Sequence, residues 1–233
     1  MVEIAIESPA RNALSIAVLE TLCQRLRAAG GEPVLLTGAG STFCAGLDLK
    51  EISSLDGPGM RRLLDALEGL VAEIWSHPAP TVALVNGHAI AGGCVLALCC
   101  DVAVASSEPT IRIGLNETAL GLSFPPRTLK MVRARLGDAR AEQVVLGAAL
   151  HAPAAAQALG LVDEVADQAR AVALLRLEER ALHPPKAYAA AKAVLRSGKL
   201  DLSPAEQRHF EEVLVPAWTS PEARAVVERL RKR

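Results

Sequence analysis

The order of apolar and polar positions divides the chain into alternating strand-like and helix-like segments. Val2–Ile6 (VEIAI) alternates as a half-buried strand does. Ser15 is placed to cap a helix on which Leu19, Leu22, Cys23 and Leu26 share one stripe, and Gly30-Gly31 ends it. Residues 34–37 (VLLT) form a short buried strand, and a Gly/Ser-rich loop occupies 38–46. Met60, Leu63, Leu64, Leu67, Leu70, Val71 and Ile74 then recur at three- and four-residue spacing, the signature of an amphipathic helix, until His77-Pro78-Ala79-Pro80 breaks it. Thr81–Val85 (TVALV) is a second buried strand, turned by Asn86-Gly87. Gly92-Gly93 opens a segment, 94–100, that is apolar on every side and so predicts a buried helix. Residues 102–105 and 110–113 read as strands.

From Pro125 onward the pattern is mainly helical. Asp138 caps a helix, Pro153 starts another that Gly160 closes, and 161–165 reads as a strand. Helices follow near 167–182, 184–197, 203–214 and 220–232. The alternation predicts an α/β core with right-handed crossovers over residues 1–165, and a helical region over 166–233. There is no internal repeat and no long linker.

Composition narrows the chemistry. The chain has 233 residues, enough for one large domain with a real core, and 51% hydrophobic residues exclude disorder. Aromatics are only 3%, so Ala, Leu and Val must build that core. A net charge of −1, with Lys and Arg spread along the chain, argues against a broad nucleic-acid face. The basic run at 229–233 reads as a solvated helix end. The five cysteines, Cys23, Cys44, Cys94, Cys99 and Cys100, form no CxxC pair and read as small core residues in a reducing compartment. The five histidines are scattered without ligand spacing, so no metal site is expected. The N-terminus MVEIAIES shows no signal pattern, and no apolar run reaches about 18 residues. The expectation is a soluble cytoplasmic protein.

Three features could carry chemistry: the loop Phe43-Cys44-Ala45-Gly46-Leu47-Asp48-Leu49, the run Asn86 to Gly93 before the buried helix, and Gly114-Leu115-Asn116-Glu117. A glycine pair at a helix start exposes unpaired N–H groups at the positive dipole end, a good place for a developing oxyanion; it also serves close helix–strand packing. Glu117 lies in an apolar stretch that would raise its pKa and suit it to general-base work, although an ordinary loop glutamate shares that setting. GxGxxG and GxSxG are absent.

In this order and spacing the features resemble the crotonase (enoyl-CoA hydratase/isomerase) superfamily. Arg11-Asn12-Ala13-Leu14 resembles its N-terminal motif; LTGAGSTFCAGLDLKEI (36–52) and VNGHAIAGGCVLALCCD (85–101) resemble its two oxyanion loops; HAPAAAQALGLVDEV (151–165) resembles the stretch leading to its late strand. The resemblance implies a spiral core of ββα turns, a helical C-terminal oligomerisation region, and a homotrimer or hexamer. It implies an acyl-CoA thioester substrate, with coenzyme A part of the substrate and no separate cofactor. By position, the backbone N–H groups of Leu47 and Gly92 would hold the thioester oxygen. Ala45, Gly46, Asp48, Leu49 and Gly93 would line the substrate pocket, and Glu117 would carry the proton.

Hydratases of this family use two glutamates. Here the first position is Val95 and only the second, Glu117, is retained. Together with the local sequence around 91–95 and 113–121, and an ending over 220–233 without the phenylalanine-rich pattern of many hydratases, this resembles the mitochondrial-type Δ3,Δ2-enoyl-CoA isomerases. Those shift a 3-enoyl double bond to the trans-2 position in fatty acid β-oxidation. Two departures stand out. Only one strand precedes the Arg11 motif, so an edge strand is expected to be missing or replaced, and Pro125-Pro126 occupies a stretch often Gly-rich in hydratases, so the acyl pocket should differ in shape. Hydration, decarboxylation and thioester hydrolysis are the alternative reactions of the superfamily. An RNA-binding member and a Clp-type serine peptidase are disfavoured by the charge pattern and by the lack of a Ser-His motif.

Overall fold

The computed structural model describes residues 1–231; Lys232 and Arg233, at the end of the last expected helix and of the basic run, lie outside the described residues. The chain opens with β1 (Val2–Ile6), α1 (Ile16–Ala28) and β2 (Val34–Gly38). Three ββα turns then interlock. Strand β2 leads to β3 (Thr42–Cys44), α2 (Leu49–Ser54) and the long α3 (Gly57–Ser76). Next come β4 (Thr81–Val85), β5 (His88–Ile90) and α4 (Gly92–Cys99), and then β6 (Val102–Ser106), β7 (Ile113–Gly114) and α5 (Pro126–Leu136). After α6 (Asp138–Gly147) and α7 (Pro153–Ala158), β8 (Glu164–Ala166) is added, followed by α8 (Ala169–Ala181) and α9 (Pro185–Arg196). The chain ends with α10 (Pro204–His209), a π-helical turn (Phe210–Leu214), α11 (Val215–Trp218) and α12 (Pro221–Arg231).

The strands form two parallel sheets, β1-β2-β4-β6-β8 and β3-β5-β7. Each ββ unit drops from the large sheet to the small one within a few residues. The large-sheet strands β2, β4 and β6 are covered on both faces, which is why VLLT, TVALV and VAVA read as continuous apolar runs and not as alternation. Their period of two survives in the packing. Val34, Leu36, Ala83, Val85, Ala103 and Ala105 face the main core, shared with α1, α3, α4 and α5. Leu35, Val82, Leu84, Val102 and Val104 face the other way, onto Ala169, Ala173 and Leu177 of α8. Helix α8 therefore seals the sheet.

Several expectations shift. Strands β3 and β5 were hidden in stretches expected to be loop, because three residues are too few to show a period. The strand expected at 110–113 is only Ile113–Gly114, since Thr110 lies in a turn held by its N–H and hydroxyl on the Glu108 carboxylate. The strand expected at 161–165 is Glu164–Ala166; Leu161 and Val162 are buried in the core instead. Asp138 is not a cap: Gly137 holds that position, and the Asp138 carboxylate pairs with Arg133. Ser15 does cap α1, accepting from the Val18 N–H. Among the described residues no helix is long and apolar enough to cross a membrane.

Candidate active site

The small sheet positions the site. Strands β3, β5 and β7 are parallel and end at Cys44, Ile90 and Gly114, so the segments that follow, 45–49, 91–95 and 115–125, emerge side by side at their carboxyl ends. Ligands of α/β sheets bind at such an edge. A cavity of about 190 Å³ opens there, lined by Ala45, Leu47, Leu49, Gly92, Val95, Asn116 and Glu117 and otherwise almost wholly by apolar side chains.

Two backbone donors face this space. Leu14 and Leu47 form a parallel bridge in which the Leu14 N–H donates to the Gly46 carbonyl (2.8 Å) and the Asp48 N–H to the Leu14 carbonyl (3.0 Å). Alternation along an extended chain then turns the Leu47 N–H away from Leu14. Gly92 is the first residue of α4, so its N–H has no intrahelical acceptor. The preceding Ala91 is held at φ 51°, ψ −119°, a sparsely populated conformation for alanine, and its N–H donates to the Gly114 carbonyl (2.8 Å). That bond ties the start of α4 to the strand that presents Glu117.

The Arg11-Asn12 motif works as a clamp on the first loop. Asn12 Nδ2 donates to the carbonyls of Ala39 (2.9 Å) and Thr42 (2.6 Å), and the Arg11 carbonyl accepts from the Ala45 N–H (3.2 Å). Asn12 is itself buried, at φ 58°.

Glu117 is 8% exposed, and its Oε2 is buried without a partner. Burial raises its carboxyl to about 7, while its own N–H and that of Asn116 pull the other way. Its carbonyl accepts from the N–H groups of Leu120 (2.9 Å) and Leu122 (3.0 Å), which fixes the turn. Among the described residues lining the cavity, Glu117 is the only ionisable side chain.

Of the expected site residues, the cavity thus brings together Glu117, Leu47, Gly92, Ala45 and Leu49. Gly46, Asp48 and Gly93 are not among its lining residues. Gly46 packs behind the Gly92 nitrogen. Asp48 caps α2, accepting from the N–H groups of Lys50 (2.8 Å) and Glu51 (3.2 Å). Gly93 lies so close to the Cys44 carbonyl that a Cβ would collide with it, so it serves packing.

Sequence reasoning named Asn116 within the Gly114-Leu115-Asn116-Glu117 run but gave no role to its Oδ1, which is buried without a partner, and it missed the apolar wall of Leu122, Phe124, Trp218 and Leu230. It also missed Glu68 of α3, whose carboxylate accepts from the N–H groups of Arg127 (2.9 Å) and Thr128 (2.8 Å) and so caps α5 in place of Pro125. Among the described residues no three His, Cys, Asp or Glu side chains converge on a metal site. The cysteines are free, and burial raises the thiols of Cys44 and Cys100 to about 12.

The profile of the enoyl-CoA hydratase/isomerase family matches residues 1–228. The chain belongs to this family. The chain is 38% identical over 173 residues to enoyl-CoA hydratase domain-containing protein 2, mitochondrial, of Bos taurus, covering 71% of this chain but only 57% of that protein. It is 36% identical over 198 residues to the 2,3-dehydroadipyl-CoA hydratase of Escherichia coli, covering 82% of this chain and 75% of that one. Its structure is similar to that of human mitochondrial Δ3,Δ2-enoyl-CoA isomerase, with a TM-score of 0.92 and 26% identity, over 99% of this chain and 92% of the other. The relatives named for hydratase activity are thus similar in sequence, and the solved isomerase is similar in fold.

Proposed function

We propose that the protein shifts the double bond of a 3-enoyl-CoA to the trans-2 position through a dienolate. The observation that carries this reading is the single ionisable group, Glu117, in an otherwise apolar cavity, with Val95 on the same cavity where a hydratase of the family would place its other carboxylate. The Glu117 carboxylate takes a proton from C2. The C–H electron pair forms the enolate, and the N–H groups of Leu47 and Gly92 stabilise the charge on the thioester oxygen, each by about 3 kcal/mol on oxyanion-hole precedent. The neutral carboxyl then returns the proton to C4, leaving the double bond between C2 and C3. A carboxyl near 7 can accept and release a proton at neutral pH, and apolar walls keep water from the intermediate.

Hydration of a 2-enoyl-CoA is the second reading. It is favoured by Asn116 Oδ1, a buried acceptor without a partner on the same cavity, which could hold a water beside Glu117. Turnover of both substrates by wild type and Glu117→Gln tests the two. Isomerisation of trans-3-hexenoyl-CoA that is lost in the variant supports the first reading; hydration of trans-2-hexenoyl-CoA without isomerisation replaces it with the second.

The proposed assembly is a homotrimer or a hexamer built on α9, a helix turned inside out. Its inward side carries Tyr188 and Lys192, while Val194 and Leu195 are 77% and 74% exposed. A second copy would cover that apolar face. Light scattering should give a mass three or six times that of the chain, and a monomer in Val194→Asp/Leu195→Asp; a monomeric wild type sinks the idea.

A further inference from the structure

Glu117 and Asn116 reach the cavity from the edge of the small sheet, whereas part of its apolar wall comes from the C-terminal helices. Trp218 on α11 is the largest piece of that wall, and only 5% of it is exposed. Its indole N–H donates to the Ser123 carbonyl (3.0 Å). Ser123 lies between Leu122 and Phe124, which line the same cavity. The ring is therefore fastened to the segment that follows Glu117, and the hydrogen bond fixes its orientation. Leu230 on α12 adds a half-buried side chain to the lining of the same cavity. Helix α12 is in turn tied to the end of α2 by Arg224, which donates to the carbonyls of Ser53 (3.2 Å) and Leu55 (2.8 Å).

The space in front of this wall is small. An apolar cavity of about 150 Å³ takes one benzene ring. The 190 Å³ here therefore takes about seven or eight carbon-sized atoms. With the thioester carbonyl at the N–H pair and C2 to C4 beside Glu117, room remains for about two or three more. A longer chain that runs toward α11 would meet the indole.

We propose that Trp218 sets the acyl-chain length, and that the preferred ligands are acyl-CoA thioesters with about six to eight acyl carbons. This rests on the acyl-CoA reading above and adds its chain-length class.

The test measures binding and needs no turnover. Saturated butanoyl-, hexanoyl-, octanoyl-, dodecanoyl- and hexadecanoyl-CoA are titrated calorimetrically into wild type and Trp218→Ala. Wild-type affinity should rise by up to about fourfold per methylene as apolar surface is buried, then break after octanoyl. Dodecanoyl- and hexadecanoyl-CoA should bind at least about tenfold below that trend. In Trp218→Ala the break should move to dodecanoyl-CoA or beyond. Should that variant not fold, Trp75→Phe leaves Trp218 as the only tryptophan, since the chain has two. Its fluorescence should then respond to octanoyl-CoA and not to butanoyl-CoA. Tight binding with no break, an unshifted break in a folded Trp218→Ala, or fluorescence blind to chain length overturns the assignment alone. Failure of every acyl-CoA to bind overturns the acyl-CoA reading beneath it.

Discussion

Gly46 packs against Ile90, just before α4, so closely that a Cβ on it would stand 3.1 Å from the Ile90 carbonyl oxygen and 3.2 Å from the Ala91 Cβ. Gly46 also adopts φ +93°, a conformation L side chains rarely take. The absence of one methyl group thus lets the loop that carries Leu47 pack close to the start of α4, where the proposed second donor, Gly92, stands. Gly46→Ala should strain the loop and push the Leu47 N–H out of position. The expected loss is about a hundredfold in kcat/KM, the size of one oxyanion donor, in a protein whose circular dichroism is unchanged. A variant within twofold of wild type would show that these N–H groups do not hold the reacting oxygen.

Glu117 makes a prediction with a definite sign in pH. As the base it must start as carboxylate, so kcat/KM should rise with pH to half its maximum near 7, and Glu117→Gln should leave a flat residue of activity. Stability should run the other way. The folded carboxyl binds its proton more tightly than the unfolded one, so between the unfolded value near 4.5 and about 7 the fold loses stability as pH rises. Glu117→Gln removes that penalty. It should be more stable than wild type at pH 8, by at most about 3 kcal/mol, and should show no such advantage at pH 4. Urea melts at the two values check this.

Val95 is the position where a second carboxylate would enter, and it is fully buried against the same cavity as Glu117. Val95→Glu sets two acids in one apolar space, where like charges disfavour joint ionisation. The midpoint of the kcat/KM profile should move above the wild-type value near 7, and isomerase activity at neutral pH should fall. If Val95 is what separates isomerisation from hydration here, some addition of water to trans-2-hexenoyl-CoA should appear. A profile unmoved in a folded variant would place the introduced carboxylate away from Glu117.

How much of this the sequence carried depends on range. Long elements announced themselves: the stripe from Met60 to Ile74 on α3, and the cap at Ser15. That Leu47, Gly92 and Glu117 line one cavity was reachable because each lies a few residues after a short strand, within a motif in register. Strands β3 and β5 were not, because three residues show no period and their pairing comes from other turns of the spiral. Trp218 lies about 100 residues beyond Glu117, and Glu68 about 60 before Thr128; nothing local marks either as a neighbour of the site. Asp48 shows the converse limit. Placed in the right loop by its motif, its side chain is spent on capping α2.

Asp101 gives the last prediction, one that separates stability from chemistry. Its carboxylate accepts from the Thr81 N–H (2.9 Å), the Tyr188 hydroxyl (2.8 Å) and Arg196 (2.7 Å), and pairs with Lys192 at 2.8 Å. Burial alone would push its carboxyl up, but Lys192 and Arg196 outweigh that and hold it below the ordinary range. The cluster fastens α9 to the core through its inward side, and none of its members lines the cavity. Asp101→Asn keeps the shape and removes the charge, leaving buried Lys192 without its counter-ion. The expected loss is about 3–5 kcal/mol of unfolding free energy by urea titration. Adding Lys192→Met should recover part of it, because an unpaired buried cation costs more than none. At temperatures where the variant stays folded, kcat/KM should remain within twofold of wild type. A large catalytic loss with little change in stability would instead tie this cluster to the reaction.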